Sequence, residues 1–115
     1  MLPREYKLKK ESHFKRTLQK GKSYQGEFMR LKVLKNNLGI SRFAFIVNLK
    51  VSKKATQRNK IRRQLEEIIR LRLSQIRPGL DLIISVSPPI TEENYRAIEK
   101  DLFSLFRKAK IIWSY

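Results

Sequence analysis

Apolar residues recur along this chain at two different spacings. In EFMRLKVLK, residues 27–35, they alternate. Met29, Leu31 and Val33 share one face, and Phe28, Arg30 and Lys32 share the other, which is the period of a half-buried strand. NNLG at 36–39 has the chemistry of a turn. ISRFAFIVNLKV at 40–51 alternates again, with Phe43, Phe45, Val47 and Leu49 on one side and Ala44, Ile46 and Asn48 on the other. So short a connection predicts an antiparallel hairpin, with Ala44, Ile46 and Asn48 on the face of Arg30 and Lys32. LDLIISVS at 80–87 is apolar almost throughout, as expected of a strand covered on both faces.

The helical period appears in three other places. Ser12 is placed to cap a short helix over 12–20 that carries Phe14 and Leu18 and stops at Gly21. A second helix runs over 55–74 and is stopped by RPG at 77–79. A third spans 91–109, with Thr91 as its cap, Glu92 and Glu93 at its positive end, and Tyr95, Ile98, Leu102, Leu105, Phe106 and Ala109 on one stripe. Residues 1–10 read as a basic arm, 21–26 as a loop that admits one more short strand before residue 30, and 110–115 as a tail. A turn-linked strand pair plus a helical crossover implies a mixed sheet with helices packed on it. The expectation is an α+β two-layer sandwich, with all 115 residues in one domain.

Charge changes the picture most. Lys and Arg number 27 against 10 Asp and Glu, a net charge of +17. Self-repulsion on that scale disfavours a compact state unless a polyanion relieves it. Cysteine is absent, which removes disulfides, zinc-finger spacing and thiol nucleophiles and suits a reducing cytoplasm. No apolar run approaches the ~20 residues of a membrane span, and MLPREYKLKK has no apolar signal-peptide segment. A cytoplasmic protein with no membrane partner is expected.

The basic residues concentrate in KKATQRNKIRR, residues 53–63, which hold six cations and no acid. At 100° per residue, Ile61, Leu65, Ile68 and Ile69 form a core stripe, while Asn59, Arg63 and Arg70 lie opposite, with Arg62 at the flank. A merely solvated helix face would alternate signs to make i, i+4 pairs, and this one does not until Glu66. Arginine forks fit phosphate oxygens, and a helix N-terminus adds its own attraction for anions. Lys53 and Lys54 extend the patch. Arg72 falls on the apolar side, as if the helix frays or drifts in register there. A sheet mixing aromatic and basic side chains beside such a helix favours single-stranded RNA.

The segment Ala55-Thr-Gln-Arg58-Asn59-Lys-Ile-Arg62-Arg63 resembles the Arg-Asn helix motif of the bacterial ribonuclease P protein subunit. The resemblance extends over nearly the whole chain, through ESHFKRTLQKGKSYQGEF, DLIISVSP and LFSLFRKAK. It implies an α-β-β-β-α-β-α fold with a mixed four-stranded sheet and a left-handed β-α-β crossover, like domain 2 of ribosomal protein S5. It implies that Arg58, Asn59, Arg62 and Arg63, with Lys50, Lys53 and Lys54 beside them, contact a catalytic RNA. It implies that Phe14, Leu18, Phe28, Arg30, Lys32, Ala44, Ile46 and Asn48 line a cleft for the single-stranded 5′ leader of precursor tRNA. No obligate protein partner and no protein-bound cofactor are expected, with Mg2+ held on the RNA. The chain departs from the family pattern at Leu18, Ala44, Leu49 and Glu66, the last of which should weaken phosphate attraction locally or pair with Arg62, Arg63 or Arg70.

A protein nuclease would need a carboxylate-metal site or an acid/base pair. The acids here are scattered, Glu66 and Glu67 diverge by about 100° on their helix, and no glycine-rich phosphate loop occurs. His13, the one histidine, reads as a packing or surface residue. Two other classes remain, a structural RNA-binding protein such as a ribosomal protein, and a protein nuclease, the second disfavoured by this inventory.

Overall fold

A computed structural model describes residues 2–88, 90 and 94–112. Among these residues, three helices and four strands follow one another as α1 (Glu11–Lys20), β1 (Lys22–Gln25), β2 (Met29–Lys35), β3 (Arg42–Ile46), α2 (Ala55–Leu71), β4 (Leu80–Val86) and α3 (Tyr95–Lys108). Single 3-10 turns cover Arg4–Tyr6 and Leu73–Gln75. The sheet runs β1-β2-β4-β3. β4 is antiparallel to β2 and parallel to β3, so the sheet is mixed and α2 forms the crossover between the parallel pair. This is the expected α+β class, with the optional extra strand present as β1.

The pairing differs from the expected hairpin, because β2 and β3 are not neighbours. β4 lies between them, and the turn at 36–39 bridges the start of that strand: the Asn36 N–H donates to the Gly79 carbonyl at 3.0 Å, and Asn36 Nδ2 donates to Asp81 Oδ1 at 2.9 Å. Gly79 takes a φ of +83°, a conformation that excludes most side chains there. A central strand explains the unbroken apolar run of β4, since Leu82, Ile83 and Ile84 are all fully buried.

Cross-strand partners share a face. On one face Leu31, Leu82, Ile84 and Phe43 join Ile61, Leu65, Ile68 and Ile69 of α2 and Ile98, Leu102, Leu105 and Phe106 of α3 in one apolar cluster. These two helices and the sheet are the two layers. On the other face Lys32, Ile83 and Ala44 form one row and Arg30, Ser85 and Ile46 another, and α1 packs across β2 and β4.

Several local expectations are corrected. α1 begins at Glu11 with Lys10 at its cap position, so Ser12 is its second residue. α2 ends at Leu71; Arg72 leaves the helix to pair with Glu99 at 3.6 Å and lies 5.4 Å from the Phe103 ring, joining α2 to α3. α3 begins at Tyr95, where Asn94 Oδ1 accepts from the Ala97 N–H at 2.9 Å. Thr91, Glu92 and Glu93 lie outside the described residues, as do Pro89 and Trp113. The N-terminal segment is no free arm. Leu2 and Leu8 are buried, and the Leu8 N–H donates to the Phe43 carbonyl at 2.8 Å along the edge of β3. The tail is likewise anchored through Ile112, which bridges Ile76.

Candidate nucleic-acid interface

The connection from β3 to α2 builds the basic surface. After Ile46 the chain turns over Asn48–Val51, with the Val51 N–H donating to the Asn48 carbonyl at 3.0 Å. The apolar Val47 and Val51 are buried, which leaves Asn48, Leu49 and Lys50 exposed between them. Leu49 therefore does not share the core side with Phe43; the strand has already ended. Ser52 sets up the helix start. Its Oγ donates to Gln57 Oε1 at 2.7 Å and accepts from the Lys54 N–H at 3.1 Å. Lys54 occupies the cap position with no side-chain capping bond, and the first turn contains no acid. The positive end of the helix is thus surrounded by positive side chains, an arrangement suited to an anion.

Four residues of the Arg-Asn motif lie together on this half of α2. Arg58 Nη1 donates to the Ser52 carbonyl at 2.9 Å, which fixes the stem and leaves part of the guanidinium fork to the outside. Arg62 Nη1 donates to Asn59 Oδ1 at 2.7 Å, and Arg63 Nε lies 3.4 Å from the Asn59 carbonyl. Lys53, Lys54, Asn59 and Arg63 are exposed, and Arg58 and Arg62 are half-buried. Lys7, Asn59, Arg62, Arg63 and Glu66 line an open groove of about 460 Å³. Glu66 is buried at its base and pairs with Lys7 at 3.8 Å, not with the expected arginines of its own helix; Arg70 pairs instead with Glu67.

The second group of expected residues falls on the α1 side of the sheet. Phe14 and Leu18 on α1 are half-buried and stand outside the main apolar cluster. Arg30, Lys32, Ala44 and Ile46 share the face that α1 crosses. Lys32 Nζ donates to the Leu18 carbonyl at 2.7 Å, so its charge sits at the negative end of α1. Arg30 is exposed, held through Nε to Gln25 Oε1 at 3.0 Å. Asn48 lies beyond the end of β3, where its Oδ1 accepts from the Lys50 N–H at 3.1 Å. Phe28 is placed elsewhere. It precedes β2 and is buried in the cluster of the opposite face, because the Asp101 carboxylate takes the backbone N–H groups of Glu27 and Phe28 at 2.7 and 2.8 Å and turns the chain inward.

One polar group was not expected. Arg42 makes two bonds to the fully buried Asp81, Nε to Oδ1 at 2.8 Å and Nη2 to Oδ2 at 2.7 Å, and its Nη1 lies 3.0 Å from His13 Nδ1. A carboxylate inside a strand covered on both faces was the available signal, since such a charge needs a partner. Among the described residues, no three or more of His, Cys, Asp and Glu gather where they could hold a metal ion. No helix among them is long and apolar enough to cross a membrane.

A two-layer α+β fold with a clustered arginine surface at one helix start defines a small polyanion-binding protein. A family model described as Ribonuclease P matches residues 2–110. The chain belongs to the ribonuclease P protein family and is thus part of a ribonucleoprotein enzyme. It is 35% identical to the ribonuclease P protein component of Pseudanabaena sp., over 97% of both chains. It is 38% identical to that of Synechocystis sp., over 96% of this chain and 90% of the relative. Its fold superposes on the Staphylococcus aureus RNase P protein with a TM-score of 0.86 at 26% identity, covering 94% of this chain and 98% of that one. For the Thermotoga maritima RNase P protein the TM-score is 0.81 at 27% identity, covering 89% and 96%. These likenesses give no support to the ribosomal alternative.

Proposed function

We propose that this protein binds the catalytic RNA of ribonuclease P through Lys50, Lys53, Lys54, Arg58, Asn59, Arg62 and Arg63. In this reading the 5′ leader of precursor tRNA lies along Phe14, Leu18, Arg30, Lys32, Ala44, Ile46 and Asn48. The observation that carries it is the uncapped, acid-free start of α2, whose arginines are held by the Ser52 carbonyl and by Asn59 with donors left for phosphates. The RNA and its Mg2+ break the phosphodiester bond. The protein adds positive charge and a second grip on substrate, which raises affinity for substrate and for metal ions. Phe28 is omitted from the cleft because its side chain belongs to the core. The site of action is the cytoplasm, and no further protein is required.

The test is precursor-tRNA cleavage at low magnesium by protein alone, by a bacterial ribonuclease P RNA alone, and by both. Activity appearing only in the mixture is expected; cleavage by protein alone would refute the division of labour. The double substitution Arg58→Ala with Arg62→Ala should weaken binding to the catalytic RNA and make its salt dependence shallower, by about one in slope for each phosphate no longer neutralised. An unchanged slope would remove these arginines from the interface. Phe14→Ala should weaken binding of leader-bearing substrate more than of mature tRNA, and equal weakening for both would end the leader role.

A further inference from the structure

Beneath α1, a chain of polar contacts reaches from the sheet interior to the helix. Asp81 at the start of β4 is fully buried and is held by Arg42 through two bonds and by Asn36 through a third. The remaining arm of Arg42 extends out of the sheet to His13 Nδ1 at 3.0 Å. A guanidinium can only donate, so Nδ1 accepts, and the imidazole is neutral with its proton on Nε2. A proton on Nδ1 would set N–H against N–H and place a second cation beside Arg42. The other end of α1 is held independently, by Lys32 Nζ on the Leu18 carbonyl at 2.7 Å. β3 therefore holds the first turn of the helix and β2 the last.

We propose that His13 is a positioning residue: by accepting from Arg42 it fixes the first turn of α1 over the sheet, and with it Phe14, and protonation of the ring releases that turn. The leader-cleft part of this inference rests on the function proposed above. The ring's surroundings favour the neutral form. Partial desolvation, then the charges of Arg42, Lys10 and Arg16, hold the His13 pKa below its ordinary value of 6.5, against an opposing effect of Asp81. Lys10 and Arg16 belong to α1 and its cap, Arg42 to β3 and Asp81 to β4; β2, which also packs against α1, presents Lys32, engaged at the far end of the helix with the Leu18 carbonyl. Because the docked state prefers the neutral ring, docking is complete above the ordinary histidine pKa and is lost as pH falls through the lowered one.

The holoenzyme, this full chain assembled with a bacterial ribonuclease P RNA, is assayed for binding of leader-bearing precursor and of mature tRNA from about pH 8 to about pH 5. Amide hydrogen-exchange protection of residues 11–20 is followed in the protein alone over the same range. The preference for the leader should fall about tenfold in acid, together with α1 protection. His13→Asn keeps an acceptor that does not titrate and should flatten both profiles. His13→Leu, with no acceptor, should lower both at every pH. A wild-type profile without pH dependence in α1 protection, or a His13→Asn profile that falls in parallel with wild type, overturns the inference. If α1 protection behaves as expected but no leader preference exists at any pH, the anchoring stands and the leader reading fails.

Discussion

Asp101 shows how one side chain sets the course of a distant loop. From the middle of α3 its two oxygens take the N–H groups of Glu27 and Phe28, so the carboxylate serves as a cap for a loop 73 positions away in sequence. Asp101→Asn replaces one acceptor with a donor facing an N–H, and should cost about 2 kcal/mol, read as a lower urea midpoint. Gly26 belongs to the same arrangement. A Cβ there would lie 2.7 Å from Asp101 Oδ1 and 3.0 Å from Leu105 Cγ, so Gly26→Ala should destabilise as well. The alternation of β2 was legible from Met29 onward because the sheet enforces a period of two. Extending it one residue back failed at Phe28, where a contact from α3 governs the chain. Leu49 failed for the mirror reason, one turn past the end of β3.

Among the elements, α2 was the most legible. Its stripe of Ile61, Leu65, Ile68 and Ile69 is buried as the helical period requires, and truncating it should separate stability from binding. Ile68→Ala should cost about 3 kcal/mol of stability and leave the salt slope for RNA unchanged. What the period could not show was the cation that Glu66 meets, because Lys7 arrives from the N-terminal segment alongside β3. Glu66→Gln removes a carboxylate from the base of the groove and frees Lys7, so RNA affinity at low salt should rise several-fold with a slope steeper by about one. Unchanged binding in a salt titration would show that the groove holding Lys7 and Glu66 lies outside the RNA contact. Strand pairing was the least legible feature. Turn chemistry at 36–39 is real, but Asn36 uses it to join Gly79 and Asp81, and no local signal reports that a third strand enters between two neighbours in sequence.

At the scale of the molecule the net charge of +17 opposes the fold that the core supports. The melting temperature should therefore rise with sulfate, through screening and weak binding, and rise further with a stoichiometric RNA ligand. A melting point indifferent to sulfate would show that the cations are spaced too widely to repel, and one indifferent to RNA would show that the folded chain does not bind it. The position of β4 has a temporal consequence. Both β2 and β3 depend on a strand that begins at Leu80, so the sheet has no paired centre until most of the chain has left the ribosome. Until then α2 has been synthesised without the complete layer its apolar stripe packs against. On the proposed function, a product truncated before Leu80 should carry the charge of α2 and yet bind RNA more weakly than the full chain, because the sheet beneath that helix is missing.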